Sequence, residues 1–200
     1  MKKVHIITNY YPPETGAAAN RIETLALGLK DLGHKVVVIC PLPNYPKGRI
    51  FKKYRWRLYR SEEINGISVR RLWIYATVSK NKWKRLFAML SFSISLFIYR
   101  LFHNISETVI IQSPPLLIAN AAIRLLKSSK RKIILNVSDL WPKTGVDLGV
   151  LQEGRQLNSL ERLERYNYKH SDLIVGQSNE ILNHVQKCEV TKDILLYRNF

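Results

Sequence analysis

Short, strongly apolar runs rich in β-branched residues recur along this chain, and almost every one ends in a loop of Pro, Gly, Asn or Ser. The runs lie at 3–8, 35–40, 67–74, 108–112, 132–137, 172–176 and 193–197, and the second contains Val36-Val37-Val38-Ile39. Such continuous runs suit strands buried on both faces, which is the habit of parallel sheets. Between them lie segments of helical period. Residues 17–32 place Ile22, Leu25, Ala26, Leu29 and Leu32 on one face, and Gly33 stands where a helix is capped. Further helices are expected at 80–103, 116–126, 157–170 and 179–187. Strands at roughly 30-residue intervals with helices between them predict an α/β fold. The expected form is a Rossmann-like, doubly wound, mostly parallel sheet with helices on both faces.

Residues 41–65 break this rhythm. Pro41, Pro43, Asn44, Pro46 and Gly48 give a loop. A basic stretch follows, with Lys47, Arg49, Lys52, Lys53, Arg55, Arg57 and Arg60 interleaved with Tyr45, Phe51, Tyr54, Trp56 and Tyr59. Asn65-Gly66 is a tight-turn signal before the strand at 67–74. The helix at 80–103 opens on Lys80, Lys82, Trp83, Lys84 and Arg85, then runs through fourteen uncharged residues to Tyr99. That run is shorter than the roughly 20 residues a bilayer span needs. It reads as a helix packed on the sheet, or as one seated in a membrane interface with Trp and Lys at its rim.

Charge adds a partner class. The chain carries 32 Lys and Arg against 15 Asp and Glu, a net charge of +17, which calls for an anionic partner. Its apolar content of 46% is that of an ordinary folded protein. Cys40 and Cys188 fit no Cys-x-x-Cys or zinc spacing and read as reduced thiols of a cytosolic protein. The apolar start stops at Thr8-Asn9, too soon for an export signal. The five histidines do not group in sequence, no Gly-x-Ser-x-Gly surrounds Ser178, and neither a Walker A nor a Gly-x-Gly-x-x-Gly sequence occurs. No metal is expected from these spacings.

In an open parallel sheet, ligands bind at the carboxyl ends of the strands. Three loops there carry unusual residues. Gly16 precedes a helix N-terminus suited to a phosphate, Arg21 in the first turn of that helix offers a second contact for an anion, and Glu14 is either an acceptor for sugar hydroxyls or a solvated turn residue. Ser113, before Pro114-Pro115, presents a hydroxyl to the cleft or belongs to a rigid turn. Asp139, in Ser138-Asp139-Leu140-Trp141-Pro142, acts as a base on a hydroxyl or caps the next segment.

Taken in order, Tyr10-Tyr11-Pro12-Pro13-Glu14-Thr15-Gly16-Ala17 with Arg21, Gly33-His34-Lys35-Val36, Pro43-Asn44-Tyr45-Pro46-Lys47-Gly48, Ser113-Pro114-Pro115 and Asp139-Leu140-Trp141-Pro142 resemble the amino-terminal half of GT-B retaining glycosyltransferases of family 4. The likeness is nearest to the branch that builds bacterial capsule, O-antigen and colanic-acid-type polysaccharides, including N-acetyl-fucosamine transferases. It implies that residues 1–200 form the acceptor-side Rossmann-like domain, and that a carboxyl-terminal donor domain with a Glu-x7-Glu pair completes the cleft. The isolated half is then expected to be inactive or nearly so. A nucleotide-sugar donor is the implied co-substrate, with no tightly bound cofactor and no metal. A lipid-linked saccharide is the implied acceptor.

Under this resemblance Asp139 orients or deprotonates the acceptor hydroxyl, and Glu14, Gly16, Arg21 and Ser113 bind substrate. Lys52, Lys53, Arg55, Trp56, Lys82, Trp83, Lys84 and Arg85 meet the anionic inner face of the cell membrane, making the protein cytoplasmic and peripherally membrane-associated. The chain departs from the family pattern in two places. Ser138-Asp139 stands where a His is frequent, and Arg198-Asn199-Phe200 stands where Pro-Asn-Gly is common. The other classes in play are a non-catalytic partner subunit and a basic nucleic-acid-binding module. The second lacks any RRM, OB or helix-turn-helix pattern.

Overall fold

A computed structural model describes residues 1–79, 81–188 and 193–198. Lys80 at the head of the expected 80–103 helix, and Asn199-Phe200 of the terminal motif, lie outside the described residues. The chain divides into two compact units, Met1–Val109 and Ile110–Phe200.

The first unit begins β1 (Lys3–Ile7), α1 (Ala17–Asp31), β2 (Lys35–Pro41), as the apolar runs require. β1 and β2 pair in parallel from Lys3↔Lys35 to Ile7↔Ile39. Ile6, Ile7, Val38 and Ile39 are fully buried, the signature of strands covered on both sides. The unit continues with β3 (Tyr59–Ile64), β4 (Ile67–Leu72) and α2 (Lys82–Phe102), and its strands lie in the order β3-β4-β2-β1.

β4 is parallel to β2, but β3 is antiparallel to β4. This strand is a departure from the sequence reading, which assigned 59–64 to the basic stretch and its turn. The reason is physical. Tyr59–Ile64 is an edge strand that alternates exposed and half-buried positions and carries Arg60, Glu62 and Glu63, so it has no apolar run. The hairpin turn itself is as expected: Asn65 and Gly66 have φ of 52° and 75°, the paired positive values of a tight two-residue connection. α1 holds it from outside, with Lys30 Nζ donating to the Asn65 carbonyl at 2.9 Å and Asn65 Nδ2 donating to Glu23 at 2.8 Å.

α2 has two apolar faces. Phe92, Leu96, Tyr99 and Ser91 are buried, and the helix packs against β4. Ser91 Oγ accepts the backbone N–H of Tyr75 at 2.9 Å, and the Tyr75 and Phe87 rings meet edge to face at 5.1 Å. At its far end Tyr99 stacks on His103 at 4.1 Å and on Tyr59 of β3 at 6.0 Å. The opposite face exposes Trp83, Phe87, Leu90, Ile94, Phe97 and Leu101. Their spacing of three and four is one continuous stripe. α2 has 21 residues and contains an 18-residue window of mean hydropathy 1.5, enough to cross a membrane by length and composition alone. The fourteen-residue uncharged run to Tyr99 stands as read, and the inner face of the helix packs on the sheet.

β5 (Thr108–Ser113) leads into the second unit, followed by α3 (Leu116–Leu126), β6 (Lys132–Val137), α4 (Lys143–Asp147), α5 (Arg155–His170), β7 (Leu173–Gly176), α6 (Asn179–Lys187) and β8 (Asp193–Leu196). These strands run in the order β5-β6-β7-β8, with β6, β7 and β8 parallel. Ile133, Leu135 and Ile174 of the strands, with Ala119, Ala122 and Ile123 of α3, are fully buried. α3 and α5 are joined by Asn120 Nδ2 donating to Asn167 Oδ1 at 2.9 Å, and by Asn167 Nδ2 donating to the Leu116 carbonyl at 3.2 Å. Both units are therefore Rossmann-like α/β assemblies of mostly parallel strands with helices packed on them, the predicted fold class.

Candidate active-site loops

In the first unit, the loop after β1 and the loop after β2 are tied together by Glu14. Its Oε1 accepts the backbone N–H groups of Asn44 and Tyr45, each at 2.8 Å, and Oε2 lies 3.4 Å from the Tyr11 nitrogen. Glu14 is 2% exposed. Burial pushes its carboxyl upward, against the three backbone donors. The side chain expected to meet sugar hydroxyls is thus committed to backbone amides. It shapes the loop and leaves the ligand surface to its neighbours.

Gly16 is the N-cap of α1, with φ 135°, and no side chain caps this helix end. A Cβ there would enter a backbone region closed to L residues and would sit 3.7 Å from the Tyr45 ring. Tyr10 meets the same ring edge-on at 5.5 Å. The first-turn N–H groups of α1 therefore open beside two tyrosines, and the first turn holds no acidic residue. Arg21 lies one turn further along than the sequence reading placed it, is half-buried, and has no ion-pair partner among the described residues.

The loop is braced from below by a residue that sequence reasoning missed. Arg71 of β4 is fully buried. It donates to Glu62 of β3, to the Pro12 carbonyl, and to Cys40 Sγ at 3.3 Å. Glu62 also accepts from Tyr54 Oη at 3.1 Å and pairs with Arg60 at 3.2 Å. Burial raises the Glu62 carboxyl, but the Arg71 guanidinium outweighs it and the net shift is downward. Burial pushes the Cys40 thiol up to about 12, so it is an inert, neutral neighbour. The available signal was an arginine pair inside the strand pattern, Arg70-Arg71, where one side chain must point inward.

In the second unit the ends of β5 and β6 form a polar row. Asn136 Nδ2 donates to Gln112 Oε1 at 2.8 Å, and Gln112 Nε2 donates to Ser138 Oγ at 2.7 Å. The Ser113 carbonyl accepts the Ser138 N–H at 2.9 Å. Ser113 itself is buried, which matches the rigid-turn reading of this position. Asp139 is exposed, and its Oδ1 accepts from Thr144 Oγ1 at 2.7 Å in the first turn of α4. This bond goes to a hydroxyl and not to a backbone N–H, so Asp139 does not cap α4, and Oδ2 has no partner among the described residues.

The basic segments are open to solvent. Lys52 and Lys53 lie in a short 3-10 turn whose Tyr54 is buried, while Arg55 and Trp56 stand out, Trp56 fully exposed. Lys82, Trp83, Lys84 and Arg85 form the exposed first turn of α2, capped by Asn81 Oδ1 accepting from the Trp83 nitrogen at 2.9 Å.

Parallel strands that end in such loops, with an uncapped helix N-terminus beside one of them, define an α/β domain of the kind from which GT-B glycosyltransferases are built. The chain belongs to the Glycosyl transferase 4-like domain family, whose model matches residues 16–192. No curated protein sequence matches the chain. Among solved structures, it is similar to sucrose-phosphate synthase from Thermosynechococcus elongatus, with 10% identity and a TM-score of 0.65 over 99% of this chain and 48% of that one. It is also similar to the catalytic domain of starch synthase IV from Arabidopsis thaliana bound to ADP and acarbose, with 13% identity, 98% and 51% coverage and a TM-score of 0.58. A third is α,α-trehalose 6-phosphate synthase from Burkholderia multivorans, with 8% identity, 94% and 42% coverage and a TM-score of 0.53. The chain spans about half the length of these structures.

Proposed function

We propose that this chain is the acceptor-side half of a retaining glycosyltransferase that works with a nucleotide-sugar-binding donor domain. The family match over residues 16–192 carries the reading. The ligand loops support it, because each unit offers chemistry suited to a phosphorylated sugar substrate. The N–H groups at the α1 N-terminus would receive a phosphate, with Arg21 as counter-charge. Asp139, its Oδ2 open, would orient or deprotonate the acceptor hydroxyl. Glu14 and Arg71 act as positioning residues that fix the loop after β1. Neither a tightly bound cofactor nor a metal takes part in this scheme.

The acceptor we propose is a lipid-linked saccharide of cell-surface polysaccharide assembly, of the capsule or O-antigen kind, with an N-acetylated hexosamine or hexose transferred. What supports it is the outer stripe of α2, whose first turn carries Lys82, Lys84 and Arg85 beside Trp83. Apolar side chains with a cationic rim suit the headgroup boundary of an anionic leaflet, and each basic residue near such a surface contributes about 1 kcal/mol. The protein would then sit peripherally on the inner face of the cell membrane.

The test supplies the full enzyme bearing this domain with membrane-extracted lipid-linked saccharides and a panel of labelled nucleotide sugars. Label entering the lipid fraction, and lost with Asp139→Asn, is the expected result. Transfer from no donor to any lipid-linked or soluble acceptor overturns the reading. A co-purifying chain that alone supplies the donor site would recast this one as the partner subunit.

A further inference from the structure

The sequence spacing shows no metal motif, yet the second unit gathers three donor atoms that the sequence scatters. α6 presents His184 and, one turn on at its C-cap, Cys188, so both lie on one face of the helix. α5 presents Glu164 to the same point. His184 Nε2 lies 3.1 Å from Glu164 Oε1 and 3.8 Å from Cys188 Sγ, and one ligand atom from each residue falls within 4.8 Å of the others. We propose that Glu164, His184 and Cys188 form a binding site for a single Zn2+ ion that pins α6 to α5.

The geometry can be weighed against coordination distances. Zinc binds His nitrogen at about 2.0–2.1 Å, carboxylate oxygen at about 2.0–2.2 Å and Cys sulfur at about 2.3 Å. In a tetrahedron those lengths separate nitrogen from oxygen by about 3.3 Å and nitrogen from sulfur by about 3.6 Å. The observed 3.1 and 3.8 Å bracket these values within a few tenths of an ångström. The carboxylate-to-thiol separation is within 4.8 Å, so seating the ion needs the Cys188 side chain to swing toward Glu164.

The donor set selects the metal class. A thiolate and an imidazole beside a carboxylate suit a borderline-soft ion, whereas Mg2+ and Ca2+ demand oxygen ligands. The carboxylate is already oriented from behind, since Tyr168 Oη donates to Glu164 Oε1 at 2.9 Å. Such outer partners fix ligand direction and are themselves worth about 10–100-fold in affinity. The side chain of Glu164 is 4% exposed and that of His184 23%, so the site is sheltered but not sealed from solvent. Cys40, fully buried beside Arg71, offers no competing thiolate.

The site is independent of the transferase reading, because it links two helices and needs no sugar. The test uses the 200-residue protein, metal-free, titrated with Co2+ as a spectroscopic probe and then with Zn2+. One Co2+ per chain with a thiolate charge-transfer band, displaced by Zn2+, is expected. A rise in melting temperature with Zn2+ and none with Mg2+ should accompany it. Cys188→Ser should abolish the band, His184→Gln should weaken binding at least tenfold, and Tyr168→Phe should weaken it about tenfold while keeping the band. Circular dichroism confirms that each variant is folded. Binding of equal strength to wild type and to the two ligand variants, or no thiolate band with wild type, overturns the assignment. In that case the trio is an ordinary carboxylate–histidine hydrogen bond with a bystander thiol.

Discussion

Replacing Glu14 by Ala removes the group that joins the loop after β1 to the loop after β2. Two backbone N–H groups, on Asn44 and Tyr45, lose a charged acceptor at 2.8 Å. A hydrogen bond to a charged group contributes about 1.5–3 kcal/mol. Asn44 is half-buried and Tyr45 is 44% exposed, so water recovers part of each bond. Burial of the carboxylate also offsets part of its value, as the upward shift of its pKa records. The net cost should be about 2–4 kcal/mol. Glu14→Gln keeps an oxygen for both amides and removes a charge that burial disfavours, so it should stay within about 1 kcal/mol of wild type.

The gap of about 2 kcal/mol between the two variants is roughly 30-fold in the unfolding constant. Urea denaturation at neutral pH reads it, and amide exchange locates it, since protection should fall at Asn44 and Tyr45 in the Ala variant alone. A pH series adds a sign. A folded-state pKa raised above the ordinary 4.5 means that the stability tied to Glu14 is complete below that value and is lost as pH rises through the folded pKa. The wild type should therefore lose stability relative to Glu14→Gln over that window and run parallel to it above. An Ala variant within about 0.5 kcal/mol of wild type, with unchanged exchange at both amides, would refute the reasoning.

Arg71→Met should cost about 2–4 kcal/mol at neutral pH, because it takes the buried guanidinium away from the Pro12 carbonyl and from half-buried Glu62, which keeps only Tyr54 and Arg60. Glu62 has a lowered pKa, so its contribution is present above the ordinary 4.5 and is lost as pH falls through the folded value; the deficit of the variant should shrink in acid, as denaturation at pH 7 and pH 3 would show. Asp139→Asn should lower turnover of the full enzyme more than tenfold with little change in melting temperature, since the amide oxygen still accepts from Thr144; wild-type turnover would remove Asp139 from the mechanism. Paired changes on the outer stripe of α2, Phe97→Glu with Leu101→Glu, should leave the fold intact and cut retention on anionic vesicles at least tenfold; flotation assays against neutral vesicles separate this from nonspecific binding.

The parts of the fold that could be read from sequence are those where one element explains its own residues. A buried parallel strand writes a continuous apolar run, and Val36-Val37-Val38-Ile39 and Ile133-Ile134-Leu135 needed nothing else. Tyr59–Ile64 stayed hidden because an edge strand of charged residues shows the composition of a loop, and only its pairing to β4 makes it a strand. The site followed the same division. Gly16 and Asp139 were visible because strand-end loops announce themselves. The bond from Glu14 to residues thirty positions away, the inward turn of Arg71, and the approach of Glu164 to His184 are products of packing, and no local pattern contains them.

The Glu14 latch makes the Tyr10–Gly16 turn and the Asn44-Tyr45 turn one heritable part. Moving either segment alone into a related scaffold would bring a carboxylate without its amides, or amides without their carboxylate. Recombination between such enzymes should therefore succeed when a crossover falls before β1 or after Pro46, and fail between them. Variation in the tyrosine-lined mouth beside Gly16 is then inherited as a cassette, with β2 carried along inside it.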